Sequence, residues 1–519
     1  MPVWIVTQST FHSKQMWAHQ YTRRRPAILR LMAMPVLALM LVGVMCDDVR
    51  ARATNIQISV LSLSPPRIRI EGNRFVATRI WSFRNAYAGL LGLGERIENL
   101  TLKDVSGVEV PVRKLASGEY EAARDAIRWS CDIRLEPSAG AADSANASWL
   151  AGERGFLMLG DLFPLEFDGK PLSVNTSMVR IKLPPAWTVY SSESKQSDGE
   201  FEVSDVNDAV FFIGKGLRER HERLGRIDAS LVTEGTWAFS DQEVMTMVSR
   251  ILKEYTTRVG VSPGPRVTIL LSHFPSSVGA ERWAAETRRN TVTLLSGESP
   301  SVVAGLSQLS TPLTHELFHL WVPNGIRLAG NYDWFYEGFT LYEALCVAQR
   351  LGFLTFQDYL NALGRAYDAY SFSNEARKLS LIEASMRRWT RPTTLVYQKG
   401  MLVAFLYDLS LRKLTHGKRT LDDVYRALFR DSTATGTKRE GNDVVLGILK
   451  DQDKLQEFVR KYVENSDDID LQAMVSPFGL TVERIGGRTR IVVSEKISSQ
   501  ERDLLRAFGY NNETRRTGR

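Results

Sequence analysis

The hydrophobic pattern of this 519-residue chain changes near Glu219. Before that point, from Thr54 onward, short runs rich in β-branched and aromatic residues alternate with turn residues, as in IQISVLSL, RFVATRIWSF and DAVFFIGKG. After it, most segments repeat apolar residues at helical spacing. A chain of this length is too long for one hydrophobic core, so several domains are expected. The pattern predicts an α+β protein, in which a β-rich, sandwich-like domain precedes a mostly helical domain with a small sheet.

We expect four parts along the chain. The predictions are a signal peptide at residues 1–53, the β-rich domain at 54–215, the helical domain at 216–470, and a short C-terminal β-hairpin and helix at 471–519. The hairpin is indicated by LTVERIGGRTRIVVS, whose paired glycines suit a tight turn. This last part is too short for most independent domains.

Local signals predict individual elements within these parts. The segment SDQEVMTMVSRILKEYTTRVG predicts an amphipathic helix, with Ser240 as its N-cap and Gly260 just after its end. RVTILLS and NTVTLLSG predict strands of the small sheet. The segment Pro137–Ser148 is small and polar, which predicts a mobile loop.

Residues 1–53 have the three parts of an export signal. A basic stretch, TRRRPAILR, precedes the apolar LMAMPVLALMLVGVM, and Ala51–Ala53 has the small-x-small form of a cleavage site. The alternative is an uncleaved anchor, but the uncharged run Leu31–Cys46 spans only about 24 Å as a helix, short of the roughly 30 Å bilayer core. We predict a cleaved signal peptide and a periplasmic or secreted protein, with membrane contact only through this segment if it is retained.

The net charge of +7 is concentrated in that N-terminal segment. Of the 66 basic and 59 acidic residues, seven and two lie in residues 1–53, which leaves the remainder at +2. A nucleic-acid partner is therefore not expected. The three cysteines, Cys46, Cys131 and Cys346, lie far apart and do not indicate a disulfide framework.

The segment LTHELFHLWV contains two of the chain's seven histidines. His315 and His319 are four residues apart, so on a helix both imidazoles lie on one face. Glu316 lies about 100° further around the helix, where it can reach a water beside a metal without binding the metal itself. The alternative interpretation is a buried helix whose two histidines are hydrogen-bonded within the core. A metal site needs further ligands to be preferred.

A third ligand is offered by the segment DWFYEGFTLYEAL. A catalytic zinc site uses three protein ligands. Glu337, with 17 residues between it and His319, has aromatic and apolar neighbours, and a carboxylate near a core needs a partner such as a metal ion. Glu343, on the same predicted helix, could orient a histidine. We therefore predict Zn²⁺ held by His315, His319 and Glu337.

Four segments together resemble a known family. HELFHLW, WFYEGFTLYEAL, YQKGMLVAFLYDLSLRK and TLDDVYRALF, within residues 313–429, are similar to the glycyl aminopeptidase family of gluzincin metallopeptidases. The resemblance implies a thermolysin-like catalytic domain, a zinc cofactor and a peptide or protein substrate. It also implies that Glu316 is the general base and that Tyr397, in YQKG, donates its hydroxyl to the oxyanion of the tetrahedral intermediate. A clear PDZ domain, common in the family, is not recognisable.

The segment before the histidines departs from the family pattern. SSVGAERWAAETRRNTVTLL stands where many members have a Gly-rich stretch with a glutamate. By analogy it should form the strand beside the substrate and hold the anchor for the substrate's amino terminus, for which Glu281 and Glu286 are both candidates. We expect an aminopeptidase. An endopeptidase on the same scaffold, or an inactive relative that only binds peptides, remain the alternatives.

Overall fold

The computed structural model describes residues 54–165, 176–326, 328–373, 376–388, 395–433 and 439–510. The predicted signal peptide and its cleavage site lie outside these residues. The described residues all belong to one compact unit. In the described ranges, no helix is both long and apolar enough to cross a membrane.

The N-terminal region contains two sheets that face each other. The larger sheet has ten strands, in the order Ser194–Lys195, Phe201–Val203, Ser177–Lys182, Thr54–Leu63, Pro66–Phe83, Glu119–Arg134, Ile97–Lys103 and Glu109–Val110, with Pro164–Leu165 and Val112–Ala116 paired beside this path. The smaller sheet has the order Trp187–Ser191, Val210–Lys215, Arg154–Met158 and Trp149–Ala151. A short hairpin, Ala86–Tyr87 with Leu90–Leu91, projects from this region.

The smaller sheet is buried on both faces. Successive side chains of a strand point to opposite faces. Leu157 and its cross-strand partner Phe211 therefore join the core beneath the larger sheet, while Phe156 and its partner Phe212 join a second core. That second core includes Leu270 of the next sheet. The predicted sandwich is confirmed, and its smaller sheet is also packed against the following part of the chain.

The next sheet has five strands and begins the second half of the molecule. Its order is Arg218–Leu224, Ile227–Thr233, Arg266–His273, Thr291–Ser296 and Trp283–Arg288. The three middle strands are parallel, and each outer strand is antiparallel to its neighbour. Trp283–Arg288, the edge strand on the opposite side of the sheet from Arg218–Leu224, has no described strand paired with its outer side. An edge of this kind can pair with another extended segment.

The helices Asp241–Val259 and Val302–His319 pack against strands of this sheet. The other helices of the described residues are Thr340–Arg350, Phe356–Ser371, Leu381–Met386, Gly400–Leu414, Leu421–Thr433, Gly441–Leu449, Asp453–Val459, Leu471–Val475 and Ser499–Ala507. Short 3₁₀-helices occur at Leu93–Arg96, Ala141–Ala145, Leu159–Asp161, Ala376–Lys378 and Ser476–Phe478, and π-helical turns at Trp334–Phe339, Leu395–Lys399 and Arg460–Glu464. The mixed α+β class is confirmed.

Several local predictions are confirmed. The helix Asp241–Val259 has Ser240 as its N-cap in a complete capping box, and Gly260 follows it in the left-handed conformation. The C-terminal hairpin pairs Leu480–Ile485 with Arg488–Val493, and both glycines between them have positive φ. This hairpin packs on the helix Phe356–Ser371 rather than standing apart: the Thr489 hydroxyl donates to Asp368 at 2.5 Å. The domain boundaries themselves stay predictions.

The predicted mobile loop is wrong. Within Pro137–Ser148, residues Ala141–Ala145 form a 3₁₀-helix, and Ala145 is fully buried. The Ser148 backbone amide and hydroxyl both donate to the Asp161 carboxylate, at 2.8 and 2.6 Å. Small residues indicated a loop because they fill little of a core by themselves. Here Ala145 packs in the core between the smaller sheet and the sheet that follows it.

Candidate active site

The first part of the site is the histidine helix, Val302–His319. Ser301 caps its N-terminus by accepting a hydrogen bond from the Ala304 backbone amide at 3.2 Å. The helix ends at His319, so His315 and His319 occupy its last turn and are both buried. Their Nε2 atoms are 3.1 Å apart. The one-face geometry expected from the four-residue spacing is present.

The second part is the glutamate helix, which begins as the π-turn Trp334–Phe339 and continues as the α-helix Thr340–Arg350. Glu337 lies in the π-turn and is buried. Its Oε2 atom is 3.5 Å from Nε2 of His315 and 3.5 Å from Nε2 of His319. The structure thus brings together the three side chains that the sequence predicts as ligands.

These three atoms suit a tetrahedral zinc ion. With zinc–ligand bonds of about 2.0–2.1 Å, two ligand atoms of a tetrahedron lie roughly 3.3–3.4 Å apart. The observed separations of 3.1, 3.5 and 3.5 Å bracket that value. Nδ1 of His319 lies 2.9 Å from the Val322 carbonyl oxygen. When Nδ1 carries the proton and donates it to that oxygen, Nε2 is free to bind a metal. Two imidazoles and one carboxylate are a donor set of catalytic zinc sites.

The site's electrostatics are those of a carboxylate among cations. Burial by itself would raise the pKa of Glu337, but His319, His315 and Arg388 together hold it well below its usual range. Burial would lower the pKa of His319, yet the Glu337 carboxylate more than offsets this and raises it to about 9. Glu337 is therefore ionised at neutral pH, as a metal ligand must be.

Glu316 is held beside the histidines by the edge strand. It is buried, and one atom from each of His315, Glu316 and His319 lies within 4.8 Å of the others. The Thr287 hydroxyl lies 2.7 Å from the Glu316 carboxylate oxygen Oε2 and 2.9 Å from the Glu316 carbonyl oxygen. Since a hydroxyl has one proton, Thr287 donates to one of these oxygens at a time. Thr287 was not predicted, because nothing in the sequence links a single threonine to a helix that begins 15 residues later.

Tyr397 lies in the π-turn Leu395–Lys399 that leads into the helix Gly400–Leu414. Its hydroxyl oxygen accepts a hydrogen bond from Nη2 of Arg388 at 2.6 Å. Burial raises the pKa of Tyr397 well above its ordinary value and the Glu337 charge adds to the rise, so the hydroxyl keeps its proton at neutral pH. The same Arg388 nitrogen donates to Oε1 of Glu337 at 2.8 Å. Arg388 was also missed from the sequence.

Of the two candidate anchors, Glu286 lies close enough to Glu316 and Glu337 to interact with their charges. It lies in the middle of the edge strand, where its Oε1 accepts a hydrogen bond from the Tyr87 hydroxyl at 2.8 Å. Burial raises the pKa of Glu286, Arg288 opposes the rise, and nearby Glu316 adds to it. Glu281 is exposed in the turn before the strand.

Glu343 does not orient a histidine, so that prediction is wrong. Its carboxylate lies 2.9 Å from Nη2 of Arg258, which also pairs with Asp422 at 2.6 Å. All this lies in the helical core, on a different side of the glutamate helix from Glu337. A buried carboxylate needs a partner, and here the partner is an arginine from another helix, which sequence spacing could not indicate.

The site segment also matches a known family. Residues 308–403, which contain all five predicted site residues, match the family model of the M61 glycyl aminopeptidase. The resemblance to this family is confirmed. The match supports a metallopeptidase and comes from the part of the chain that carries the geometry described above. A comparison with curated protein sequences gives no match.

Solved structures share the fold over most of the chain. One is an aminopeptidase N family protein from Idiomarina loihiensis, at 19% identity and a TM-score of 0.72, with 86% of this chain and 82% of that one covered. A second is a variant of the M1 zinc metallopeptidase from Deinococcus radiodurans, bound to a Tyr-Ser-Ala substrate, at 14% identity and a TM-score of 0.52, with 80% and 94% covered. At these identities the likeness establishes the fold.

Proposed function

We propose that the protein is a zinc-dependent aminopeptidase that hydrolyses peptide bonds. The observation that carries the proposal is the convergence of His315 Nε2, His319 Nε2 and Glu337 Oε2 within 3.5 Å of one another. Zinc held by these atoms would act as a Lewis acid and would lower the pKa of water to about 7. The M61 match, over the same segment, supports this class of chemistry.

The surrounding groups would supply proton transfer, a hydrogen bond to the oxyanion and a strand that pairs with the substrate. Glu316, held by Thr287, would take the proton from the attacking water and deliver it to the leaving amine. Tyr397, which keeps its proton, would donate a hydrogen bond to the carbonyl oxygen as that atom gains negative charge. The free side of the edge strand would pair with the extended backbone of a peptide substrate.

We assign the preference for a free amino terminus to Glu286. A carboxylate in the edge strand, close enough to Glu316 to interact with its charge, is placed to bind the ammonium group of a substrate's first residue. The substrate of the Deinococcus radiodurans enzyme, Tyr-Ser-Ala, is a short peptide and supports this substrate class. An endopeptidase would have no use for such an anchor, and an inactive peptide-binding relative would have no use for Glu316.

The first prediction tests metal and reaction together. Purified protein should carry about one zinc per chain, and His319→Ala should lose it, because the site has only three protein ligands. The preparation with zinc should release chromophore from alanyl or glycyl amides but not from an amino-blocked peptide. Metal analysis and steady-state assays give both results. Cleavage of the blocked peptide would favour the endopeptidase, and stoichiometric zinc in His319→Ala would remove His319 from the ligand set.

A second prediction concerns export. We propose that the chain is secreted or periplasmic, since residues 1–53 combine a basic stretch, an apolar stretch and a small-x-small site. Expression of the full chain in a bacterial host should give a mature protein that starts at Thr54, found by N-terminal sequencing of the periplasmic or secreted fraction. Ala53→Phe should retain the leader, because signal peptidase needs a small residue there. Full-length protein that retains Met1 and is found in the cytoplasm would contradict export.

A further inference from the structure

Arg388 reaches the site from a separate segment of the chain. It follows the short helix Leu381–Met386, which is fixed to the glutamate helix because the Trp334 backbone amide donates to the Ser385 hydroxyl at 2.8 Å. The Arg388 side chain is only 11% exposed. A guanidinium buried to this extent is stable only when its donors find acceptors.

Arg388 donates hydrogen bonds to four groups around the proposed active site. Nη2 donates to Oε1 of Glu337 at 2.8 Å and to the Tyr397 hydroxyl at 2.6 Å. Nη1 donates to Oδ1 of Asp333 at 2.7 Å and to the Tyr336 hydroxyl at 3.0 Å. One rigid, planar group therefore contacts both a proposed zinc ligand and the proposed oxyanion donor.

The contact with Tyr397 determines the direction of its hydroxyl proton. A guanidinium has donors and no acceptor, so the Tyr397 oxygen accepts from Arg388 and cannot donate back. The neighbouring Tyr336 also accepts from Arg388, but it donates its own proton to Asp333 at 2.6 Å. The described residues offer the Tyr397 proton no such acceptor. It remains available for a substrate atom.

The contact with Glu337 determines which carboxylate oxygen meets the metal. Arg388 holds Oε1, and Oε2 lies 3.5 Å from the Nε2 atom of both histidines. Rotation of the carboxylate would break a charge-assisted hydrogen bond, the stronger kind of such bonds. Glu337 therefore presents a single oxygen to the histidines.

We propose that Arg388 is a positioning residue that fixes the Glu337 carboxylate as a one-oxygen ligand and leaves the Tyr397 proton directed at the substrate carbonyl. This inference rests on the proposed function, and it adds a group that acts through two others. It implies two separable effects of losing Arg388, one on zinc affinity through Glu337 and one on kcat through Tyr397.

The experiment compares Arg388→Ala, Tyr397→Phe and the double variant. Competition with a chelator should show zinc affinity reduced about 10- to 100-fold in Arg388→Ala, the usual cost of losing a group that orients a metal ligand, and unchanged in Tyr397→Phe. At saturating zinc, Arg388→Ala should lower kcat by roughly tenfold or more on the wild-type background but by less than about threefold on the Tyr397→Phe background. Equal effects on both backgrounds, or wild-type zinc affinity in Arg388→Ala, would overturn the proposal.

Chemical rescue gives a readout that a general structural role would not produce. Millimolar guanidinium chloride should raise the kcat of Arg388→Ala at least about fivefold and leave the kcat of the double variant unchanged, with sodium chloride as the ionic control. Arg365→Met, an exposed arginine on the helix Phe356–Ser371, is the matched control for loss of charge and should behave as wild type. Rescue that is equal in the double variant would contradict the role through Tyr397.

A substitute variant and the wild-type protein distinguish the remaining outcomes. If Arg388→Ala does not fold, Arg388→Lys takes its place, because an ammonium keeps the charge but cannot repeat the planar pattern of donors. The loss of kcat in Arg388→Lys should then depend on Tyr397 in the same way. Wild-type zinc affinity and kcat in Arg388→Lys would overturn the proposal. A wild-type protein that binds no zinc or has no turnover contradicts the proposed function itself, so the two failures are distinct.

Discussion

At the scale of single residues, the site contains two carboxylates whose partners differ. Glu316 and Glu337 are both buried carboxylates within the same small space, yet their partners differ. Glu337 is fixed by Arg388 and faces both histidines, whereas Glu316 is held by the Thr287 hydroxyl. The difference in partners supports different roles for two chemically identical side chains.

The corresponding prediction concerns Glu316→Gln. The amide is the same size and can still accept from Thr287, so zinc content and thermal stability should stay at wild-type values. Turnover should fall about 10²- to 10⁴-fold, the usual contribution of a general base. Metal analysis, a melting curve and kcat on one preparation provide the measurement. Glu281→Gln, an exposed glutamate near the same strand, is the matched control, and near-wild-type kcat in Glu316→Gln would remove it from the base role.

At the scale of elements, two irregular helices meet at the site. Glu337 and Tyr397 both lie in π-turns, a feature that is rare and often found at functional sites. The two elements approach closely at Gly338 and Gly400: a Cβ on Gly338 would lie 2.5 Å from Cα of Gly400 and 2.7 Å from the Val396 carbonyl oxygen. Only glycine permits this approach, which brings the elements that carry Glu337 and Tyr397 together.

Gly338→Ala should therefore disturb both the fold and the site. Overpacking of this kind costs about 1–3 kcal/mol of unfolding free energy. Because the helices must move apart next to Glu337, zinc affinity should fall as well. Gly447→Ala is the matched control, since its Cβ meets nothing within 4 Å in the helix Gly441–Leu449, and it should be neutral or slightly stabilising. Denaturant unfolding and chelator competition test both; unchanged values in Gly338→Ala would contradict the close approach.

The elements also show what the sequence can and cannot predict. The caps of Asp241–Val259 and the glycine hairpin were predicted because local chemistry determines them. The two histidines were predicted because their spacing on a helix is fixed. The π-turns, the partner of Glu343 and the packing of Ala145 were not, since each depends on segments distant in sequence. Arg388 belongs to this second group: its position depends on how the helix Leu381–Met386 packs, and no spacing rule connects it to Glu337.

At the scale of the whole molecule, the β-rich region supports the edge strand of the catalytic half. Tyr87, in the hairpin Ala86–Tyr87 with Leu90–Leu91, donates to Glu286 at 2.8 Å. The Arg288 guanidinium lies 4.4 Å from the centre of the Tyr87 ring and donates to the Asn146 carbonyl oxygen at 2.8 Å. Groups from two parts of the N-terminal region thus orient side chains of the strand that would bind substrate.

This arrangement predicts that Tyr87, a residue of the β-rich region, contributes to recognition of the substrate's free amino terminus. Tyr87→Phe keeps the ring over Arg288 but removes the hydroxyl that holds Glu286. A hydrogen bond to a charged group contributes about 1.5–3 kcal/mol, so KM for alanyl or glycyl amides should rise roughly tenfold or more. The general base and the oxyanion donor are untouched, so kcat should change little.

The control substrate and control variant make this prediction specific. A substrate analogue without a positive amino terminus makes no contact with Glu286 in this proposal, so its inhibition constant should be the same for Tyr87→Phe and wild type. Tyr190→Phe, in the smaller sheet strand Trp187–Ser191, removes a hydroxyl from the same region without contact to Glu286 and should leave KM unchanged. If Tyr87→Phe weakens charged and uncharged ligands equally, the hydroxyl stabilises the edge strand as a whole; if it weakens neither, Glu286 does not depend on the N-terminal region for its orientation.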